Sequence, residues 1–364
     1  MIFQSGLKDL FKKYIYNLST HYICIIISVK FYINIKNTML KNIAIVSGGN
    51  SGEYEISIRG AEVISKEIDR KKFIPYIINL RGSECNYIDN KGQKHKIDFN
   101  DFSLIIDGKK IIFDAIFNII HGTPGEDGRL QGYFDLIRKP YTSCDLVTSA
   151  ITFNKNYCNK IVSTFGVYTA KSVYLRYYYA NAVDDILAQL SLPVFVKPNL
   201  GGSSVGISKV KKREELDNAL KIAFKESSEV LVEEFIQGTE ITCGVLRINN
   251  KITALPITEI VSHKEFFDYE AKYLGKSQEI TPARISDEMT AKVSAVAKRV
   301  YEVLKMTGFS RSEYIIVNGE PHLLEVNTIP GLTTESLIPQ QAKAAGITLT
   351  DLFSNAIELA LSKK

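Results

Sequence analysis

The sequence has few of the features that would indicate a disulfide framework, a zinc site or a membrane span. Its five cysteines contain no C-x-x-C pair and their number is odd, which disfavours disulfides and structural zinc and favours a reducing cytoplasm. The most apolar stretch of the first forty residues, 22–29, is shorter than the roughly 20 residues that a bilayer-spanning helix needs. The cysteines are Cys24, Cys85, Cys144, Cys158 and Cys243.

A broad basic surface is also missing from most of the chain. The formal net charge is +5 over 364 residues, but residues 1–40 alone carry five lysines and one aspartate. Residues 41–364 are therefore almost neutral, at +1. Nucleic-acid binding depends on clustered positive charge, so the composition argues against a nucleic-acid partner. A chain of this length is sufficient for two or three domains.

Residues 1–38 match no targeting or spanning pattern. The segment has weak basic and apolar parts but no small-residue cleavage site, so it does not read as a signal peptide. From Met39 the chain runs directly into an apolar stretch typical of a buried strand. We expect residues 1–38 to be an appended or mis-started segment outside the fold, with no membrane role.

The remaining pattern predicts a mixed fold in three parts. Residues 39–143 alternate strands and helices, which indicates an open, Rossmann-like α/β domain. Residues 144–232 and 233–364 combine helices with strands and hairpins, which indicates α+β subdomains. The expected strands are 42–47, 73–80, 111–120, 170–175, 193–197, 204–210 and 229–233, with hairpins turning at Asn249-Asn250 and Asn318-Gly319, and the expected helices end near 68, 165, 224, 306 and 362.

A glycine-serine loop follows an apolar strand that ends in Lys197. Residues 201–206 read Gly-Gly-Ser-Ser-Val-Gly, and they join two predicted strands. Glycine lets backbone N–H groups approach an anion, and a lysine supplies a charge for phosphate. The G-x-x-x-x-G-K-[ST] pattern is absent, so this is not a Walker A loop. An ordinary hairpin with a glycine-rich tip explains the segment equally well on its own.

Two acidic residues end the strand at 229–233 and an apolar pair follows them. Glu233 and Glu234, with strand backbone, can hold the amino group of a base and ribose hydroxyls, while Phe235 and Ile236 can wall the base. Glu240 completes this group. Solvated charges at a strand end are the alternative interpretation, and it is favoured if the segment is considered alone.

The hairpin around Asn318-Gly319 contains a candidate metal site. Glu325 and Asn327 are two residues apart on a strand and share a face. With Glu313 they offer the oxygen ligands that Mg²⁺ or Mn²⁺ prefers. A two-residue turn with a regular ladder would pair Glu313 with Leu324, on the opposite face. The metal interpretation therefore predicts an odd-numbered loop with Gly319 left-handed.

Two further segments suggest a site. His121 follows a predicted parallel strand and precedes a glycine-rich acidic loop, and ligands bind beyond the carboxyl ends of such strands. A structural histidine is an equally good interpretation. Residues 266–273 lie in a long irregular stretch of the kind that often forms a lid, although an exposed loop with aromatic anchors is the simpler alternative.

Taken together and in this order, the segments resemble the ATP-grasp enzymes and, within them, the D-alanine–D-alanine ligases. Each motif alone is weak, but the set is specific and runs from about residue 41 to the C-terminus. The matching motifs are Glu53 after the Gly48-Gly49 turn, His121-Gly122, Lys197 with Ser203-Ser204, the run Asp268–Tyr273, and Glu325–Gly331 with the following Leu-Thr.

The resemblance implies a fold, a reaction and its cofactors. The fold would be an ATP-grasp fold with an N-terminal open α/β domain. ATP would phosphorylate one D-alanine carboxylate, the amine of a second D-alanine would attack the acyl phosphate, and the dipeptide would supply peptidoglycan synthesis for the cell wall and cell shape. Two Mg²⁺ or Mn²⁺ ions and a cytoplasmic homodimer are also implied.

The resemblance likewise implies roles for single residues. Catalysis would involve Glu53, Ser203, Tyr273, Arg311 and the N–H of Gly331. Substrate binding would use Glu53, His121, Arg311, Ser336 and Leu337. ATP would contact Lys155, Lys197, Ser203, Ser204, Glu233, Glu234, Phe235, Ile236, Glu240 and Lys272. The metal ligands would be Glu313, Glu325 and Asn327.

Two positions depart from the family pattern and several alternatives stay open. Glu313 stands where aspartate is frequent, and Glu234 stands where some members have lysine, so Glu234 is expected to contact the base through its backbone only. Tyr273 favours an amine as second substrate. A D-alanine–D-serine type ligase, another ATP-grasp carboxylate–amine ligase, a non-catalytic nucleotide-binding protein and a tether made by residues 1–40 are the alternatives.

Overall fold

The computed structural model describes residues 40–202, 205–262 and 277–362, without the side chains of Ser262 and Ser277. Contacts divide the chain into two units. Lys41 and residues 70–74 fall in the smaller one, where the Lys41 N–H donates to the Lys72 carbonyl at 2.9 Å. Residues 42–69 and the chain from Pro75 onward fall in the larger one, which contains every candidate site residue that the structure describes.

A five-stranded sheet forms the N-terminal part of the larger unit. Its order is β4-β3-β2-β1-β7, and β1 pairs with β7 in parallel, as an open α/β arrangement requires. The prediction of a single strand at 111–120 was wrong. The segment is divided between β6, which pairs with β5 in a separate two-stranded sheet, and β7, which belongs to the five-stranded sheet. The elements are β1 (Lys41–Gly48), α1 (Tyr54–Glu67), β2 (Phe73–Arg81), β3 (Glu84–Ile88), β4 (Lys94–Lys96), β5 (Ser103–Ile106), β6 (Lys109–Ile112), β7 (Ala115–Asn118) and α2 (Arg129–Leu136).

A four-stranded antiparallel sheet of order β11-β10-β12-β9 follows. Valines of β10 and β12 pack against the apolar face of α6 in one buried cluster. The expected helix at 150–165 is two helices, because Asn154 ends α3 and caps α4 by accepting from the Tyr157 N–H at 2.9 Å. The elements are α3 (Leu146–Phe153), α4 (Lys155–Thr164), β8 (Tyr168–Thr169), β9 (Ser172–Leu175), α5 (Ala182–Leu187), β10 (Val194–Pro198), β11 (Ser208–Val210), α6 (Arg213–Glu226) and β12 (Val230–Glu234).

A larger sheet of order β16-β15-β13-β17-β18-β8, with β14 beside β13, forms the C-terminal part. Helix α7 buries Val293, Ala297 and Val300 in the core shared with this sheet. In the described part of the chain, no helix is long and apolar enough to cross a membrane. The elements are β13 (Thr239–Ile248), β14 (Lys251–Ala254), β15 (Thr258–Ser262), β16 (Ser277–Ile280), α7 (Asp287–Val303), β17 (Ser310–Val317), β18 (Glu320–Asn327), α8 (Leu337–Ala344) and α9 (Leu349–Ser362).

Candidate active site

Glu325 lies where three cavities meet. The loop cavity, about 600 Å³, is bounded by residues 50–53 and by Gly201 and Gly202. The helix cavity, about 590 Å³, lies between α1 and α8. The strand cavity, about 470 Å³, lies between the β10–β12 sheet and the β17–β18 hairpin. Glu325 lines all three, so this one acidic residue borders three neighbouring cavities.

The β17–β18 hairpin brings the candidate metal ligands to one face in an unexpected way. The turn has two residues, since Val317 pairs with Glu320, and Asn318 and Gly319 have φ of 50° and 79°. The expectation of an odd-numbered loop was therefore wrong. A β-bulge shifts the register instead, so that Tyr314 faces Leu323 while Glu313 faces Glu325.

Beyond the bulge the pairing continues and adds two more polar side chains to this face. Arg311 stands opposite Asn327, and its Nη1 donates to Oε1 of Glu313 at 2.5 Å. Asn327 Oδ1 accepts the Ile329 N–H at 2.9 Å, which fixes the amide. Glu313, Glu325 and Asn327 thus share one face, although in the described residues no group of three or more His, Cys, Asp or Glu could hold a metal.

Two buried lysines enter the site from opposite elements. Lys197, at the end of β10, binds Oε2 of Glu233 at 2.5 Å, and Glu233 also accepts from the Asn159 amide at 3.2 Å. Lys155, at the start of α4, donates to the Gly201 carbonyl at 2.6 Å and lies 3.7 Å from Glu325. The desolvated ammonium groups of these two lysines would attract an anion strongly.

The strand cavity has an apolar wall and a polar rim. Phe195 and Phe235 pack with ring centroids 5.9 Å apart, and the ammonium of Lys209 lies 3.9 Å from the centroid of Phe235. Ile236 and Glu240 also line this cavity. Glu234 turns its carboxylate to the Lys171 N–H at 3.2 Å, so its side chain is bound to backbone.

His121 and Glu53 lie on the N-terminal side of the helix cavity. The Nδ1–H of His121 donates to the Ile329 carbonyl at 2.8 Å, and Ser51 Oγ donates to the His121 carbonyl at 2.8 Å. Burial lowers the pKa of His121, and the opposing attraction of Glu53 is the smaller effect. Its Nε2 is buried and has no hydrogen-bond partner among the described residues, so the imidazole offers a ligand one unused polar atom.

Glu126 lines the helix cavity together with His121 and Glu53. It belongs to the glycine-rich acidic loop after His121, but the sequence motif indicated no role for it. Its Oε2 accepts the Gly122 N–H at 2.7 Å. Loss of water around the carboxyl group, followed by repulsion from Glu53, raises its pKa to about 8. Asn159 and Lys209 were also missed, because an isolated Asn on a helix and a lysine after a serine carry no readable signal.

Gly331, Ser336 and Leu337 line the C-terminal side of the helix cavity, with Arg311. A Cβ on Gly331 would lie 2.8 Å from Ser336 Oγ, so the Gly331 backbone lies against the Ser336 side chain. Ser336 Oγ and Thr333 Oγ1 are 2.7 Å apart. Leu337 begins α8, and unpaired N–H groups at a helix start favour a carboxylate. Ser203, Ser204, Lys272 and Tyr273 lie outside the described residues.

The comparisons with known proteins agree on one family. The model of the D-ala D-ala ligase N-terminus matches residues 42–144, and that of the D-ala D-ala ligase C-terminus matches residues 162–358. A D-alanine–D-alanine ligase of Flavobacterium johnsoniae is 55% identical over 323 residues, which are 89% of this chain and 100% of that protein.

Solved structures give the same result. The VanG D-Ala:D-Ser ligase of Enterococcus faecalis has a TM-score of 0.79 at 34% identity, covering 88% of this chain and 100% of that one. The D-alanine–D-alanine ligase of Bacillus anthracis complexed with ATP has a TM-score of 0.70 at 29% identity, covering 88% and 97%. With the fold, the three cavities and these matches in agreement, the chain belongs to the D-alanine–D-alanine ligase family of ATP-grasp enzymes.

Proposed function

We propose that this enzyme joins two D-alanine molecules to D-alanyl-D-alanine at the expense of ATP, through an acyl phosphate, to supply peptidoglycan synthesis. Family membership supports the reaction class. The observation that carries the proposal in this chain is that Glu313, Glu325 and Asn327 share one face of the hairpin, with Glu325 lining all three cavities.

ATP is assigned to the strand cavity. Phe235 and Ile236 supply its apolar wall, while Glu233 and Glu240 lie near the ribose position. Lys155 and Lys197 neutralise phosphate charge, which is the main requirement of phosphoryl transfer. Ser203, Ser204 and Lys272 are assigned to the same phosphates from the family pattern. Glu234 acts through its backbone, since its carboxylate is bound to the Lys171 N–H.

We assign two divalent ions to the hairpin, as the family pattern implies. Glu313 is 8% exposed and Glu325 faces all three cavities, so both carboxylates are held where phosphate oxygens would arrive. Carboxylate and amide oxygens suit Mg²⁺ or Mn²⁺. When bound, such ions would offset phosphate charge. Arg311 orients Glu313 through their 2.5 Å contact.

The two amino acids are assigned to the helix cavity. Glu53 holds the ammonium of the first, with the buried Nε2 of His121 nearby. Arg311 and the Gly331 N–H stabilise the tetrahedral oxyanion. Ser336 and the Leu337 N–H at the start of α8 hold the carboxylate of the second. Tyr273 assists deprotonation of the attacking amine.

A direct assay tests the proposal. Purified enzyme with ATP, Mg²⁺ and D-alanine alone should release phosphate and form D-alanyl-D-alanine, identified by mass spectrometry. Replacing D-alanine with D-serine, or mixing the two, separates a D-alanine–D-serine ligase from the proposed enzyme. Absence of dipeptide and of phosphate from D-alanine alone would refute the proposal.

Substitutions of the assigned residues test whether the activity depends on this site. Glu325→Gln should lower kcat by about 100-fold or more, because one charge facing the phosphates is lost. Glu320→Gln is the matched control: this residue lies on the same strand but pairs with Lys292. Lys197→Ala should abolish activity, and Tyr273→Phe should lower kcat with little change in ATP affinity. Equal effects of the two Glu→Gln changes would contradict the site assignment.

We also propose a cytoplasmic homodimer. The described cysteines Cys85, Cys144, Cys158 and Cys243 are all buried free thiols, which supports a reducing compartment. Exposed apolar side chains on α2 and α3, Leu136 and Val147, offer a surface for a second copy. Light scattering on the purified chain should give twice the monomer mass, and a monomer mass at micromolar concentration would contradict the dimer.

A further inference from the structure

We propose that Asn199 and Glu229 form a positioning junction that sets the two phosphate-facing lysines and the base of the glycine-rich loop, and so controls nucleotide affinity. The inference deepens the proposed function and rests on it for the identity of the nucleotide. Neither residue belongs to the assigned binding set, and neither is among the described residues that line the loop, helix or strand cavity.

Asn199 uses all of its polar groups at the point where three elements meet. Its backbone N–H donates to the Glu229 carbonyl at 2.9 Å, and its carbonyl accepts the Lys155 N–H at 3.2 Å. Its side-chain Oδ1 accepts the Asn156 N–H at 2.9 Å, and its Nδ2 donates to Glu229 Oε2 at 2.7 Å. The residue is completely buried, so each of these bonds would be costly to lose.

Glu229 gathers further donors on the same carboxylate. Asn154 Nδ2 donates to Glu229 Oε2 at 3.3 Å, while Asn154 Oδ1 caps α4. The hydroxyl of Tyr174 also bonds to Glu229; burial, reinforced by this bond, raises the Tyr174 pKa to about 12. One carboxylate thereby ties the start of α4 to β9 and to the residue after β10.

The position of this junction in the chain gives it a consequence at the active site. Asn199 lies two residues after Lys197 and two before Gly201, whose carbonyl binds the Lys155 ammonium at 2.6 Å. The Lys155 backbone is itself bound to Asn199. Both lysines and the first glycine therefore depend on one partly buried amide–carboxylate contact for their relative placement, which is how supporting contacts preorganise a charged site.

Exchange of the Asn199 amide and the Glu229 carboxylate tests the role of the junction. Asn199→Asp sets two carboxylates against each other, while one oxygen of the introduced carboxylate can still accept the Asn156 N–H. We expect a rise of roughly tenfold or more in the dissociation constant of ADP, measured by calorimetry, and in the KM for ATP. The KM for D-alanine should change less than about threefold, because the helix cavity does not depend on this contact.

The double variant Asn199→Asp/Glu229→Gln restores one donor and one acceptor at unchanged total charge. It should recover most of the ADP affinity, which a general loss of packing would not predict. Asn355→Ala, which removes an amide bound to the Arg247 carbonyl at 2.7 Å, is the control for loss of a structural hydrogen bond and should leave ADP affinity unchanged.

The outcomes separate the two proposals. Unchanged ADP affinity in a folded Asn199→Asp variant, or a double variant no better than the single one, would overturn the junction. ADP binding is measured without D-alanine, so failure of the enzyme to make D-alanyl-D-alanine would overturn the proposed function while leaving this result standing. Circular dichroism of each variant confirms that the fold is retained.

Discussion

Two glycine-containing segments approach Glu325, and the structural requirement for glycine differs between them. In the segment after β7, a Cβ on Gly125 would lie 2.1 Å from the Ile120 carbonyl oxygen, so no larger residue fits. In the segment after β10, no described atom lies within 4 Å of a Cβ on Gly201, and a Cβ on Gly202 meets only Glu53 Oε2, at 3.8 Å, in the described part of the chain. The first glycine is required by packing, whereas the second pair leaves backbone open to a ligand.

The hydrogen bonds that hold the two segments differ in the same way. The first is fastened by bonds from His121 to Ile329 and from Gly122 to Glu126. The second is fastened at its base, at Asn199, and beyond that Gly201 contributes its carbonyl to Lys155. The segment after β7 is therefore a fixed wall of the site, whereas the segment after β10 presents accessible backbone at Gly201 and Gly202 to the loop cavity. Identical residues in similar loops thus need structural evidence before they are assigned the same role.

Gly125→Ala should lower the stability of the fold more than any other substitution in these two segments. The backbone must shift to relieve a contact of 2.1 Å, so the free energy of unfolding should fall by about 3 kcal/mol or more. Urea denaturation measures this change. A loss below about 1 kcal/mol would show that the segment after β7 is not held by packing at all.

A second effect concerns the charge of Glu126 in the same segment. Because its folded pKa of about 8 exceeds its ordinary value of 4.5, stability is lost as pH rises from about 4.5 through 8. Glu126→Gln removes that loss, so the variant should gain up to about 2 kcal/mol over the parent between pH 5 and pH 8. Urea denaturation in metal-free buffer checks this, and a pH-independent difference would contradict it.

Gly201→Ala should have a smaller effect on folding and a clear effect on ATP. Its φ of 118° is strained for any residue with a side chain, which should lower stability by about 1 kcal/mol. Since the described surroundings leave the Cβ position open, relief of the strain should displace the backbone near Lys155 and raise the KM for ATP. A stability loss as large as that of Gly125→Ala would remove the distinction between the two segments.

Gly202→Ala should have the smallest effect on stability. Among the described atoms its Cβ meets only the Glu53 carboxylate at 3.8 Å, so the free energy of unfolding should change by less than about 0.5 kcal/mol. Any effect should appear in the KM for ATP or D-alanine, measured by phosphate release. Substantial destabilisation would indicate that Gly202, like Gly125, is required by packing.

The sequence pattern predicted much of the architecture and the shared face of two candidate site residues. Strands β1, β2, β10 and β12 and the hairpin turns at Asn249-Asn250 and Asn318-Gly319 were located closely, since apolar runs and turn residues are local signals. The shared face of Glu325 and Asn327 followed from strand periodicity alone.

Long-range contacts account for what the pattern could not predict. His121 binds a carbonyl 208 residues away, and Glu126 owes its raised pKa to burial and to charged groups from distant segments. The break at Asn154 depends on the neighbouring Glu229 and Tyr157. Such features depend on how separate elements meet, which periodicity within one element does not encode.

The bulge in β18 restricts how the length of this chain can vary. Leu323 and Val326 both enter the core, and Leu324 and Glu325 both line the strand cavity, so the alternation of the strand changes phase by one residue. Leu324 is the extra residue of the bulge, so its deletion would restore a regular ladder in which Glu313 still faces Glu325 and Val326 still enters the core. Loss of this one residue is therefore compatible with the faces of the strand, whereas insertion of a residue at a regularly paired position of β18 would turn the side chains beyond it to the opposite face.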